Sequence, residues 1–293
     1  MSQQDQTYQY FKSHANDWQT KAEEEVFSTI HNRHQAVMQT MKKYPSGSAL
    51  LDVGCGTGQL AIEASMNGWQ SLGLDFAEDM IEIARRNNKN ASASAEFICD
   101  SIFNFKSDKN FDVISAQGLI EYISLEQLTE FLQFLKSICN PGGSVAIGSR
   151  NRLFNLHSMN EFTNIEKELG TLDSLIEEAV AFHTSESQAE AIKCIRNLKA
   201  DYVQPDIHPL TGIGVDTRYQ FTPSDLSSKL ENAGFSVTSI FPVHFHPFPV
   251  NVMDDSEVST IHKQVARFAS DKMITNHRLV PYSSSYVIEA VNQ

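Results

Sequence analysis

The chain has 293 residues, 41% hydrophobic and 10% aromatic, which is the composition of a globular protein with a sizeable core rather than a disordered chain. Its 23 lysines and arginines against 36 aspartates and glutamates leave a formal net charge of −13. That argues against a nucleic-acid partner or broad contact with an anionic membrane, because both need a basic face, and favours a small-molecule partner.

The opening MSQQDQTYQY lacks the charged-then-apolar order of a signal peptide, and no apolar run approaches the roughly 20 residues of a membrane span. Cys55, Cys99, Cys139 and Cys194 are scattered without C-x-x-C spacing, so neither a disulfide framework nor a zinc site is expected, and a reducing cytoplasm is the natural setting. From residue 49 onward, short apolar runs alternate with helical patterns, as in a parallel α/β sheet. ALLDV (49–53) reads as a strand leading into a helix over about 58–67. QSLGLD (70–75) is a second strand, followed by the helix AEDMIEIARRNN. AEFICD (95–100) and FDVISAQG (111–118) are the third and fourth strands. LEQLTEFLQFLKSI is an amphipathic helix with Leu128, Phe131, Leu132 and Leu135 on one stripe. PGG then predicts a turn before a fifth strand, SVAIGS. The alternation lapses over 150–220, where the pattern is helical and then irregular. It resumes with TPSDLSSKLENAGFSVTSIFPV, a capped helix and a strand, and after a helix-like segment at 254–270 a last strand falls at 283–291.

LLDVGCGTGQL (50–60) carries the chemistry. Gly54, Gly56 and Gly58 follow a strand and open a helix, so the backbone can turn tightly, approach a ligand closely and present free amides at the helix start. The G-x-G-x-x-G of dinucleotide enzymes fails, because position 59 is Gln59. Asp52, before the turn, suits a ligand with a cationic centre and an amino group. Asp75 ends the second strand, where a carboxylate can accept both hydroxyls of a ribose. Asp100, Ser101 and Ile102 follow the third strand and can pair an adenine edge. Any one of these is a turn glycine or a solvated acid; in order, at successive strand ends, they point to a nucleoside ligand.

The constellation resembles the class I S-adenosylmethionine-dependent methyltransferases over residues 45–150, with further likeness near 219–235 and in the terminal strand. The resemblance implies an α/β, Rossmann-like sheet of seven strands, the last antiparallel, flanked by helices and carrying helical cap insertions. It implies S-adenosyl-L-methionine as cofactor, its amino-acid part over Gly54, Cys55, Gly56 and Gly58 with Asp52 nearby. Asp75 would hold the ribose, Phe76 and Met80 would flank the adenine, and Asp100 would meet its edge. Gln117 and Gly118, with Leu119, would line the methionine side. The N-terminal YQYFKSHANDWQTKA is similar to the lid of ubiquinone-biosynthesis-type O-methyltransferases. Tyr10 and Trp18 there either cover the cofactor or pack as core, and Arg33 would pair its carboxylate. The organisation expected is lid helices in 1–44, a cofactor-binding core in 45–150, a substrate cap in 151–220, and completion of the sheet in 221–293 with a second insertion at about 243–282.

Where many relatives have a Glu-His pair after the fourth strand, this chain has Glu121-Tyr122. Tyr122 either hydrogen-bonds an acceptor or packs. A histidine near neutral pKa suits removal of a proton from an oxygen acceptor. His14 and His31 lie on N-terminal helices, and His183 and His208 fall in the first insert. His244 and His246, in FPVHFHPFPV, leave the sixth strand with both side chains expected on one side. No H-x-x-x-H or carboxylate triad accompanies them, so a metal is not expected, and they read as a packed wall, an acceptor contact or a general base. Arg150, Asn151 and Arg152 after the fifth strand, and Arg218 with Tyr219 at the return to the sheet, could select a carboxylate or phosphate on the acceptor, or could be surface ion pairs. The expected function is methyl transfer to a small molecule, at a hydroxyl oxygen and in a biosynthetic pathway. N- or C-methylation, and cofactor binding without transfer, are the alternatives.

Overall fold

A computed structural model describes residues 3–14, 29–198, 202, 218–252 and 256–293. Trp18 and His208 lie outside the described residues. One seven-stranded sheet organises the chain, in the order β3-β2-β1-β4-β5-β7-β6. β1 (Ala49–Val53) is central, parallel to β2 (Gln70–Asp75) on one side and to β4 (Phe111–Gln117) on the other, and β3 (Glu96–Cys99) closes that edge. β7 (Ser283–Asn292) enters antiparallel between β5 (Cys139–Arg150) and β6 (Phe235–Phe245). This is the seven-stranded mixed α/β sheet expected from the sequence.

The sheet is buried on both faces because its strands are apolar in both directions of the pleat. Leu51 and Ile114 join Leu128, Phe131 and Leu135 of α5 (Leu125–Ile138). Leu50 and Val113 join Ala36 and Val37 of α2 (Thr29–Met41) and Leu60 and Ala64 of α3 (Gln59–Met66) on the other side. α1 (Gln3–Ser13) and α4 (Glu78–Asn90) complete the layers near the site. α5 starts with a reciprocal cap: Gln127 N–H donates to the Ser124 hydroxyl at 3.1 Å, and Ser124 N–H to Gln127 Oε1 at 3.0 Å. At Pro141–Gly143, where the sequence predicts a break, the chain leaves both ladders: pairing with β4 passes from Cys139 on Phe111 directly to Ser144 on Val113, and pairing with β7 begins at Ser144. β5 runs on from Cys139, with Gly142 at φ +77° and a register shift against β4 between Phe111 and Val113. The glycine thus serves as a bulge inside a strand instead of ending one.

Among the described residues between β5 and β6 stand α6 (Asn155–Ser158), α7 (Glu161–Glu168), α8 (Leu172–Thr184) and α9 (Gln188–Arg196), and α10 (Pro223–Asn232) leads into β6. A buried ion pair fastens them to the sheet. Arg152 donates to both Glu166 oxygens at 2.8–3.1 Å, while Asn155 and Thr171 complete the carboxylate at 2.7 and 2.6 Å. Arg152 therefore does not face an acceptor: its guanidinium is 2% exposed and consumed inside the fold. Asn151 is likewise structural. Its amide donates to the Val280 and Ser283 carbonyls and its oxygen accepts from Leu153 N–H. Removing one partner of a buried pair strands the other charge, so Glu166→Ala is expected to cost about 3–5 kcal/mol in urea unfolding, against near neutrality for a surface acid such as Glu161→Ala.

Candidate active site

The site forms where β1, β2, β3 and β4 end on the same edge. Gly54 and Cys55 N–H both donate to the Leu74 carbonyl, at 2.8 and 3.1 Å, turning the chain back across β2. Gly54, Gly56 and Gly58 have φ of +70°, +52° and +87°, conformations that side chains with a Cβ resist. Their surroundings differ. A Cβ on Gly58 would stand 2.8 Å from the Phe97 ring and 2.9 Å from Ala84 Cβ, whereas one on Gly56 would meet nothing within 4 Å. Gly58 lets helix pack on strand; Gly56 keeps backbone open to the cavity.

That cavity, of about 210 Å³, is lined by the glycine turn, Asp52, Asp75, Phe76, Met80 and the Asp100–Phe103 loop. Gln117, Gly118, Leu119, Glu121, Tyr122 and Arg218 form its farther wall. Asp75 accepts hydrogen bonds from Gly56 N–H and Ala77 N–H, both at 2.9 Å, one on each oxygen. Each oxygen keeps a second lone pair, so the carboxylate can still accept from a diol. Gln117 anchors its amide on the Ala146 carbonyl at 2.8 Å, while its buried Oε1 has no partner. The set of groups, two buried acids and an open glycine backbone, fits a nucleoside carrying a cationic amino-acid arm.

Burial pushes Asp52 up to about 7, and the neighbouring Asp75 charge adds to the shift against a hydrogen bond from Ser115. Asp75 is also raised, by burial. On the opposite wall the sign reverses. Glu121 receives Arg33 Nη2 at 2.9 Å and Arg218 Nε at 3.0 Å. Burial pushes its carboxyl up, but Arg218, Arg33 and Arg150 outweigh this and hold it below its ordinary value. Arg150 is lowered to about 10 by burial and by Arg218, and stacks over Phe162 at 5.4 Å. Tyr122 lies beneath Arg218, at 5.4 Å, and edge-on to Phe11, with burial raising its hydroxyl. A phenol held neutral and covered on two sides is wall, not base.

The lid helix is rotated from expectation. Thr7 and Phe11, one turn apart on α1, line the cavity, while Tyr10 stacks on His14 at 4.5 Å and does not. Arg33 lines the cavity beside Gly118, and Ile30 and His34 join it at the i, i+3, i+4 spacing of one helix face. That spacing is the signal by which His34 could have been found. Burial and the charges of His31 and Arg33 lower His34 to about 4. Tyr219 stays off the lining, its N–H held by the Glu121 carbonyl at 2.8 Å.

His244 and His246 also stand off the lining. His244 has φ +57° and pairs its Nδ1 with the Ser284 hydroxyl at 3.0 Å. Burial lowers His244 to about 4 and His246 to about 3, with neighbouring histidines adding to both. So low a pKa, away from the cavity, makes them poor general bases. The missing third imidazole is present after all: His262, on α11 (Ser256–Lys272), packs its ring 4.8 Å from that of His246.

A strand-ordered nucleoside cavity on this sheet defines a class. Residues 50–143 match the family described as Methyltransferase domain, and the sheet that holds them has the Rossmann-like fold of the S-adenosylmethionine-dependent methyltransferase structures it is similar to. Among curated relatives it is 24% identical over 110 residues to the ubiquinone biosynthesis O-methyltransferase of Xanthomonas axonopodis pv. citri (strain 306), covering 37% of this chain and 45% of that protein. It is 30% identical over 107 residues to the enzyme of the same name from Nitrobacter winogradskyi, covering 36% and 40%. The chain thus spans less than half the length of these relatives. Among solved structures it is similar over its whole length to magnesium protoporphyrin IX methyltransferase from Synechocystis PCC 6803 with bound SAH (TM-score 0.59, 13% identity, 100% of each chain). It also shares the fold of the [4+2]-cyclase SpnF (TM-score 0.51, 14% identity, 90% of this chain and 81% of that one).

Two measurements check this geometry. Gly56→Ala is expected to abolish binding of the demethylated cofactor in calorimetry while costing about 1–2 kcal/mol of stability; Gly58→Ala should cost more, because Phe97 and Ala84 must move. For Asp52 the folded pKa lies above the unfolded value of about 3.9, so between these the folded state binds the extra proton and Asp52 progressively destabilises it as pH rises. Asp52→Asn should therefore gain stability relative to wild type across about pH 4 to 7; a difference flat with pH would contradict the shift.

Proposed function

We propose that the chain transfers the methyl group of S-adenosylmethionine to an acidic hydroxyl of a small, anionic acceptor. The observation that carries this reading is the polarity of the cavity, with aspartates on the glycine-turn wall and a cluster of guanidiniums on the other. The cofactor supplies a methyl group on a cationic sulfonium. A positive centre next to Asp52 and Asp75 favours their charged forms, so binding draws on charge that the empty fold holds at a disadvantage. Asp75 orients the ribose, the Asp100–Ile102 loop meets the adenine edge, and Thr7 and Phe11 close over the top, excluding water.

On the acceptor side, Arg33, Arg150 and Arg218 surround the single carboxylate of Glu121. The clustered guanidiniums suit a carboxylate or phosphate on the acceptor, with Arg218 in the cavity wall as its anchor and Arg33 placed for the cofactor's own carboxylate. His34 is the neutral imidazole in the wall, but a base with pKa about 4 does not deprotonate an aliphatic alcohol. A phenol or enol suits it better, with positioning supplying most of the acceleration. The O-methyltransferase names of the curated relatives favour oxygen over nitrogen or carbon. Because a cyclase shares the fold, transfer itself needs a product assay.

With S-adenosylmethionine and a panel of phenolic acids, their methyl esters and matched amines, methylation of a phenolic acid is the expected result. Arg218→Ala should raise KM for the acid about 10–100-fold, the equivalent of one charged hydrogen bond, and leave the ester and the cofactor Kd nearly unchanged. Methylation of amines alone, or of no acceptor despite cofactor binding, would replace this reading with one of the alternatives.

A further inference from the structure

We propose that His244, His246 and His262 form a mononuclear transition-metal site of the zinc type, separate from the cofactor cavity, which fastens α11 to the end of β6. One ligand atom from each of the three lies within 4.8 Å of the others, drawn from the strand end and from a helix well downstream. Tetrahedral zinc with nitrogens at about 2.0–2.1 Å spaces them about 3.3 Å apart, so the rings must close by no more than about 1.5 Å, within the reach of side-chain torsions. Three ring–ring contacts, at 4.6, 4.8 and 6.4 Å, already gather the imidazoles around one point.

Hydrogen-bond accounting points the same way. Both ring nitrogens of His246 and Nδ1 of His262 are buried without a partner. An imidazole always carries at least one N–H, so His246 buries a donor and an acceptor unmet, at about 1–3 kcal/mol each. A core filled for packing alone would place an apolar side chain here; a metal gives these lone pairs a partner. The surroundings hold the ligands in place. Ser284 hydroxyl on His244 Nδ1 is the kind of outer contact that orients a ligating imidazole through its other nitrogen. His157 Nε2 contacts the His246 carbonyl at 3.0 Å, and His246 N–H donates to the Tyr282 carbonyl at 2.9 Å, pinning the backbone between the two ligands. His244 sits at φ +57°, and strain in a non-glycine residue concentrates where geometry serves a site. Among the described residues the cluster is three neutral nitrogens with neither thiolate nor carboxylate, which suits Zn²⁺, Co²⁺, Ni²⁺ or Cu²⁺, and not Mg²⁺ or Ca²⁺, which take oxygen. Three protein ligands leave a fourth tetrahedral position for water or an exogenous group.

Protein without a polyhistidine tag, stripped with chelator and dialysed, is titrated with Zn²⁺ by calorimetry and with Co²⁺ by visible absorption. Expected are one ion per chain and the intense visible bands of four-coordinate cobalt. His262→Gln and His246→Ala should each weaken binding at least about 100-fold and remove the thermal stabilisation that zinc gives the wild type. Binding of the demethylated cofactor serves as the folding control, and His262→Gln, on a helix outside the sheet, is the deciding variant. No binding at about a hundred micromolar of either ion, octahedral cobalt spectra, or binding unchanged in folded His262→Gln would each overturn the site.

Discussion

The contact on which the site depends is the pair of hydrogen bonds that Asp75 accepts from Gly56 and Ala77. β1 and β2 are parallel neighbours, and a parallel ladder ends in amides with no further strand to bond. One carboxylate spans the two strand ends, one oxygen on each. It fixes the glycine turn at the height where the Asp100 loop arrives, itself tied by Asp100 N–H to the Asp75 carbonyl at 3.0 Å. Three loops become one wall. That Asp75 is buried and raised despite these donors shows how much solvation the arrangement gives up, and why a cationic ligand suits it.

The second constraint is the separation of charge across the cavity. Asp52 and Asp75 stand together on one wall, and Arg33, Arg150 and Arg218 crowd round Glu121 on the other. A positive centre in the ligand suits the first group, and the proposed anionic acceptor suits the second. The stretch between β5 and β6 contributes Arg218 to this pattern but not Arg152, which is consumed by Glu166.

Much of the cofactor wall was legible because its signals are local. A strand feeding a glycine turn, and acids at successive strand ends, are fixed by a few adjacent residues and by the parallel order of the sheet. The acceptor wall was less so. Tyr10 and Phe11 are neighbours in sequence, and only the rotation of α1 against α4 and the Tyr122 ring decides which faces the cavity. Arg150, Asn151 and Arg152 sit at the ligand-binding edge, yet two of the three turn inward, because Glu166 and the Val280 and Ser283 carbonyls wait there. A sequence shows that a cation is near a strand end; it does not show the acid that claims it.

The histidines mark the same boundary most clearly. FPVHFHPFPV determined by itself that two imidazoles would stand together at a strand end, since alternation and prolines are properties of the local chain. Elsewhere the sequence by itself carried the alternation of strands and helices and the glycine turn with its acids, and the seven-stranded fold was what the resemblance carried by those motifs implied. Whether that pair is a base, a wall or part of a metal site was decided only when α11 brought His262 beside them and left His246 buried without partners. Ligand sets and charge networks join residues far apart along the chain, and their meaning comes from the distances that folding imposes.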